Sequence, residues 1–332
     1  MKETLVIEEA EAGAPLDEYL CLRWPRISKG FWRRMIRDGF ITLNGARVQP
    51  GDRLRSGHVL MIEVEDDWIR EIPVHRLNLE ILYQDEHLLA VHKPAGLPVE
   101  PGRWGEHPVT LNGALVSWAE GRLQASGLVE CRPRALHRLD LGTSGVLLYA
   151  LSLEAERYYR ELFASGLVEK VYHAWVIGEV WEAGTIDSPI APDKRRGGVM
   201  RVVKPGAGKP SRTEYRPLKR FRGYTLVEAR PRTGRTHQIR VHLASIGHPL
   251  MVDPRYGGAD KILLSELKPG YRAKPGGVER PLLQRLSLHA FSVRMTGLHG
   301  EDVHIQADYP KDLSILLAKL EKWRRAPQAN SK

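Results

Sequence analysis

The chain has 332 residues, 42% hydrophobic and 27% charged, with a formal net charge of +10 and a sequence pI near 9.6. This is the composition of a soluble globular protein, one large domain or one large and one small, and no apolar run reaches the ~20 residues of a membrane helix. Cys21 and Cys131 lie too far apart for a disulfide framework or a cysteine zinc site, and the opening "MKETLVIEEAEAGAP" has no apolar signal core, so a reducing, cytoplasmic setting is expected.

Residues 1–13 are an acidic N-terminal segment, and 14–65 a compact unit. In "PLDEYLCLRW", Leu16, Tyr19, Leu20 and Trp24 fall near helical spacing and Pro25 ends the run. Ser28 caps a second helix, with Trp32, Met35 and Ile36 on one face and Gly39 as its stop. Lys29, Arg33, Arg34 and Arg37 fill much of the rest and are candidate contacts for a polyanion such as nucleic acid. "ITLNGARV" reads as two short strands around an Asn-Gly turn, and "GDRLRSGHVLMIEV" closes the unit with a turn and a strand.

Residues 66–76 form a charged, Pro-containing linker, and 77–325 the second domain. "LEILYQDEHLLAVHKPAGLPVEPG" gives two apolar strands and a Pro/Gly loop, and "PGRWGEHPVTLNGAL" follows with an unusual tryptophan and histidine. "LNGALVSWAEGRL" reads as a helix, as does "SLEAERYYRELFASG" with Ser152 as cap; "EKVYHAWVIGEV" and "GYTLVEARPRTG" alternate like strands. "RTHQIRVHLASIG" reads as a helix carrying His237, Arg240 and His242, and Gly257 to Arg285 as a long insertion. Two strands, "LSLHAFSVRM" and "DVHIQADYP", and a closing helix precede a disordered tail at 326–332. The mixed order predicts an α+β fold with a largely antiparallel mixed sheet, preceded by a small α+β domain.

Charge is concentrated: Arg201 to Arg240 holds twelve Lys and Arg against two Glu, a local field suited to a polyanion. "PGAGKPS" is not a phosphate loop, because Pro210 follows the lysine. His237 and His242 are five residues apart with no neighbouring acid to complete a metal set, and no Gly-x-Ser-x-Gly elbow exists. What stands out is "RALHRLDLGTSGVLLYAL", where Asp140 sits among His137, Arg138 and small residues at the mouth of an apolar strand. Nearby cations keep a carboxylate charged at pH 7, which suits a nucleophile or base and not a general acid.

"HRLDLGTSGVLLYAL" resembles the active-site signature of the RluA-type pseudouridine synthases. "LAVHKPAGLPVEPG", "EKVYHAWVIGEV", "RPRTGRTHQIRVHLASIGHPLMVDPRYG" and "LSLHAFSV" are similar to further blocks of that family, in the same order. "DGFITLNGARVQPGDRLRSG" resembles the S-four-type RNA-binding module, although Pro15 stands where that family usually has a basic residue. The resemblance implies a pseudouridine synthase domain in which Asp140 initiates cleavage of a uridine's base–sugar bond. It implies that Tyr172 stacks on the flipped uracil, that Arg235 pairs with Asp140, and that Leu288 or a neighbour walls the pocket. Arg138 would slide into the gap left by the base or hold a phosphate, with His137, Arg232, His237 and Arg240 as further RNA contacts. The isomerisation involves no net redox change and transfers no group to a second molecule, so no metal or cofactor is expected. The expected partner is structured RNA, ribosomal or transfer, bound by a monomer. The alternative is an RNA-binding protein on the same fold, catalytically silent, acting as a chaperone or assembly factor.

Overall fold

A computed structural model describes residues 1–73, 76–100, 109–126, 133–272 and 277–325. Part of the linker, most of the Trp104 loop, Cys131 and the tail at 326–332 lie outside the described residues. The chain forms two compact units, Met1–Asn78 with Pro98–Arg134, and Leu79–Leu97 with Ala135–Lys332.

The first unit contains β1 (Lys2–Val6), α1 (Leu16–Arg23), α2 (Lys29–Asp38), β2 (Ile41–Leu43), β3 (Ala46–Arg47) and β4 (Val59–Glu63). The strands pair antiparallel in the order β1-β4-β2-β3. Ser28 Oγ accepts from Phe31 N at 3.2 Å to open α2, and Gly39, at φ 87°, closes it in the left-handed region. Asn44 and Gly45, at φ 51° and 77°, make the tight β2–β3 turn. Trp32, Met35 and Ile36 bury against Leu16, Leu20, Ile41, Leu60 and Ile62. A third helix, α3 (Leu111–Ser126), belongs to this unit; Arg26 Nε meets Glu120 Oε1 at 2.9 Å.

The second unit is built on a ten-stranded sheet. In chain order it has β5 (Ile81–Gln84), β6 (Leu88–Lys93), β7 (Arg134–Ala135) at the unit boundary, β8 (Ser144–Ala150), α4 (Leu153–Ala164) and β9 (Glu169–Ile177). Next come β10 (Gly184–Asp187), β11 (Ile190–Pro192), β12 (Met200–Val202), β13 (Arg212–Phe221), β14 (Tyr224–Pro231) and α5 (Gln238–Ser245). The chain ends with α6 (Leu264–Leu267), β15 (Leu288–Thr296), β16 (Asp302–Gln306) and α7 (Lys311–Trp323). The main order is β10-β13-β14-β9-β15-β8-β6-β5, with β16 beside β15 and β7 beside β8, and a separate β11–β12 hairpin. Of the pairs in register, β15–β8 is parallel and the others are antiparallel, so the fold is the expected α+β with a mixed, largely antiparallel sheet.

The alternation along β9 sends Ala174 and Val176 into a cluster with Ile239 and Leu243 of α5, and Trp175 to the other face against Leu313, Leu316 and Leu320 of α7. A third cluster joins Val146 and Leu148 of β8 to Ala155 and Tyr159 of α4. The described residues of the segment from Gly257 to Arg285 pack against the core. They include α6, and Ile262, Leu267 and Leu283 are buried with Trp175, because burying those three apolar side chains offsets the cost of ordering the chain around them.

Candidate active site

Asp140 lies at the end of a short loop leading into β8, its carboxylate 25% exposed. The loop turns on a hydrogen bond from Thr143 N to Asp140 O at 3.0 Å. Beneath it, Lys93 at the end of β6 is fully buried and donates from Nζ to the carbonyls of Pro94, Leu141 and Thr143 at 2.9, 3.3 and 2.8 Å. Burial lowers the Lys93 ammonium to about 8, Asp140 works against that fall, and Arg285 adds to it. Gly145 follows at φ 120°, and a Cβ there would stand 2.1 Å from the carbonyl oxygen of Ala290. Only glycine lets β8 come this close to β15.

The partner of Asp140 differs from the sequence expectation. Arg240 Nη1 donates to Asp140 Oδ2 at 2.9 Å, while Arg235 is exposed and its Nε donates to the carbonyl of Pro210 at 3.1 Å. The reason is local. α5 begins only at Gln238, after His237 takes a left-handed conformation at φ 56°, so Arg235 precedes the turn and Arg240 sits on the helix. Arg240 is itself clamped by Asp253, which accepts from Nε at 2.7 Å and Nη2 at 2.9 Å; Arg240 is 5% exposed and Asp253 fully buried. Burial opposes the guanidinium charge, but the two carboxylates outweigh it and hold Arg240 above its ordinary value. The planar fork grips Asp253 through Nε and Nη2 and still has Nη1 for Asp140, a two-point geometry that an ammonium does not fix.

Tyr172 faces the same region through sheet register. Its cross-strand neighbours are Ala229 on β14 and Ala290 on β15, and Ala290 in turn lies opposite Gly145. This row of small residues leaves room around the phenol ring. Burial pushes the Tyr172 hydroxyl well up, and the negative charge of Asp140 adds to the shift. Leu288 is buried at 3% exposure among Ala174, Val227 and Leu243, so it is a core residue. Its neighbour Leu286 is partly buried beside the same cluster as Tyr172, and its side chain fills the space over Gly142.

The other sequence candidates divide. Arg138 is exposed two residues before Asp140. His137 points inward: its Nε2 accepts from Leu148 N at 3.2 Å and its ring lies against Phe163, 5.2 Å between centroids, so it braces the loop and is not free for a phosphate. Burial, with Lys170 adding, takes its imidazole down to about 3. Arg232 pairs with Glu214 at 2.6 Å. His237 Nε2 is 3.9 Å from Asp140 Oδ1. In the first unit, Lys29 and Arg33 pair with the buried carboxylates of Asp17 and Glu18, whereas Arg34 and Arg37 are exposed. Sequence reading missed Asp253 and Lys93. The usable signal for both was a charge at the end of an apolar run, "PLMVD" and "LLAVHK".

Residues 87–245 match the family of RNA pseudouridylate synthases. "Ribosomal large subunit pseudouridine synthase D" of Pseudomonas aeruginosa is 38% identical over 251 residues, 75% of this chain and 76% of that one. The protein of the same name from Xanthomonas campestris pv. campestris is 34% identical over 325 residues, 95% of this chain and 91% of its own. Among solved structures, human RNA pseudouridylate synthase domain containing 4 superimposes with a TM-score of 0.55 at 25% identity, covering 73% of this chain and 93% of its own. With likeness along nearly the whole length, and the aspartate loop lying within the matched span, the chain belongs to the RNA pseudouridine synthase family and is an RNA pseudouridine synthase.

Proposed function

We propose that the protein converts specific uridines of structured RNA, those of large-subunit ribosomal RNA, to pseudouridine, with Asp140 as the catalytic carboxylate. The observation that carries this is the Asp140–Arg240–Asp253 chain: an accessible carboxylate at a loop end, held by a guanidinium that a buried acid locks in place. Such an acid is oriented before substrate arrives, so little reorganisation is needed when charge moves. Its open oxygen, Oδ1, acts as nucleophile or base on the uridine, and the base–sugar bond opens. The detached uracil turns and rejoins through a ring carbon, releasing the proton that carbon carried.

The target base swings out of its helix to reach the loop, at a cost of a few kcal/mol. Tyr172 stacks on it, Leu286 walls the pocket, and Arg138 fills the vacated space. Arg34 and Arg37 on α2 hold flanking phosphates. Ribosomal RNA is favoured by the names of the relatives that match along the whole chain. The test is a strain lacking the protein, complemented with wild type or Asp140→Ala, with pseudouridines mapped by carbodiimide-dependent reverse-transcription stops. Ribosomal stops that vanish on deletion and return only with wild type are the expected result. Stops restored by Asp140→Ala overturn the catalytic assignment, and stops lost only from transfer RNA overturn the substrate.

A further inference from the structure

We infer that Tyr256 is a positioning residue for the reaction: its hydroxyl fixes His237 in the tautomer that turns an Nε2–H toward Asp140. The inference rests on Asp140 being the reacting carboxylate. A tyrosine hydroxyl has one proton to give. Tyr256 Oη accepts from the backbone N–H of Met200 at 2.8 Å and lies 2.9 Å from His237 Nδ1. A backbone N–H only donates, and among the described residues no other acceptor takes the hydroxyl proton. That proton therefore goes to His237 Nδ1. A neutral imidazole that accepts at Nδ1 carries its hydrogen on Nε2. That nitrogen stands 3.9 Å from Asp140 Oδ1, the oxygen Arg240 leaves open.

The ring of Tyr256 serves the other flank. Arg240 Cζ lies 5.0 Å from its centroid, so one side chain touches both cationic or donor groups beside Asp140. His237 is also one of the two non-glycine residues with positive φ among those described. Such strain persists where the surroundings over-determine a conformation, and here it aims the imidazole. The charged groups facing His237 are Asp140 on its loop, Arg240 on α5, and Asp253 and Arg255 on the segment that carries Tyr256. Burial leads in keeping the imidazole neutral, Asp140 opposes it, Arg240 and Arg255 reinforce it, and Asp253 opposes it. Neutrality matters, because an imidazolium would claim Asp140 as an ion pair and withhold it from the uridine. The geometry also ties the site to a basic hairpin. Met200 opens β12, and the loop joining β11 to β12 exposes Lys194, Arg195 and Arg196, with Arg196 donating to the Arg255 carbonyl at 2.9 Å.

The first test needs no activity: long-range proton–nitrogen correlation on full-length protein labelled with ¹⁵N-histidine. His237 with Nε2 protonated and Nδ1 bare is the expected state. A protonated Nδ1 overturns the inference. The second is single-turnover tritium release from RNA carrying 5-tritiated uridine. Tyr256→Phe keeps the ring and loses the hydroxyl, so the rate falls about tenfold with KM within about twofold. The acid limb of its pH profile moves up by at least about half a unit, because His237 now charges more readily. Adding Tyr256→Phe to His237→Gln changes nothing further, since glutamine cannot titrate. An unchanged limb in Tyr256→Phe, or additive losses in the double variant, sink the proposal. If Asp140→Ala is active while His237 shows the expected tautomer, the catalytic reading fails and the positioning geometry stands.

Discussion

Arg240→Ala tests two claims at once, because Arg240 faces a buried acid on one side and a half-open one on the other. Asp253 is fully buried, and both its oxygens are taken by this one guanidinium. Removing one partner of a buried pair costs about 3–5 kcal/mol, since the surviving charge is left uncompensated. At roughly 2–4 °C per kcal/mol for a large domain, Tm should fall by about 10 °C. Asp140→Ala makes the contrast, for it removes the exposed end and leaves the Arg240–Asp253 pair intact. It should abolish tritium release while changing Tm by only a degree or two, about 0.5 kcal/mol. Arg240→Ala should lose both stability and about 10²-fold or more in rate, the usual penalty for a misplaced reacting group. Wild-type Tm in Arg240→Ala would show that the clamp carries no folding energy. Wild-type rate would show that Asp140 does not need it.

Gly145→Ala places a Cβ 2.1 Å from the Ala290 carbonyl oxygen at φ 120°; backbone strain alone costs about 1–3 kcal/mol, and an unmoved urea midpoint would refute the close-approach argument. His137 is held neutral down to about 3 in the folded protein, below its unfolded value of 6.5. Between those values only the unfolded chain binds the proton, so the folded state loses stability as pH falls through the window. His137→Gln should flatten that part of the Tm–pH curve, and a curve parallel to wild type would contradict it. Lys93 falls to about 8 against 10.5 unfolded, so only the unfolded chain holds its proton between those values and stability should rise with pH across them. Lys93→Met should lack that rise, and it should be slower at every pH because three loop carbonyls lose their donor; full activity would show that the loop is held by other means.

Much of this architecture is legible one strand or helix at a time. The alternation of "EKVYHAWVI" correctly separates the Tyr172 face of β9 from the Trp175 face, and Ser28, Ser152 and Gly39 mark helix ends where the structure has them. These signals are local, set by side-chain period and by which residues cap a backbone end. The site is different. In "TGRTHQIR" both Arg235 and Arg240 are basic, and nothing in their spacing says that a left-handed His237 delays the helix by three residues, to Gln238. Helical phase then decides which arginine meets Asp140. Lys93 and Asp253 each end an apolar run, where a charge ordinarily reaches solvent. Their burial depends on what the sheet brings from elsewhere, the 141–143 carbonyls for one and Arg240 for the other. Of the expected pair, Leu288 or a neighbour, Leu288 itself lies in the core strand, and the partly exposed neighbour, Leu286, is two residues earlier, in the loop.

The net charge shows the same limit at larger scale. A helix bearing Lys29, Arg33, Arg34 and Arg37 reads as a four-charge face for phosphate. Yet α1 contributes two acids, Asp17 and Glu18, each 2% exposed, that no apolar periodicity explains. Asp17 takes Arg33 Nε at 2.7 Å and Lys29 Nζ at 3.5 Å, while Glu18 accepts from Lys29 and Arg134. Burial alone would raise Glu18, but Arg134 and Lys29 outweigh it and hold its carboxyl below the ordinary value. Those cations are therefore compensating buried acids, and pulling either toward a phosphate would strand a desolvated carboxylate at a cost of several kcal/mol. The same division runs through the basic stretch from Arg201 to Arg240. Arg240 is locked by Asp253, Arg216 and Arg230 are shared with Glu228, and Arg232 is held by Glu214. Formal charge counts what the chain carries. What attracts RNA is the part that folding has not already spent on its own carboxylates, and that part is set by tertiary contacts, which is why the sign of the partner could be read from composition and its footprint could not.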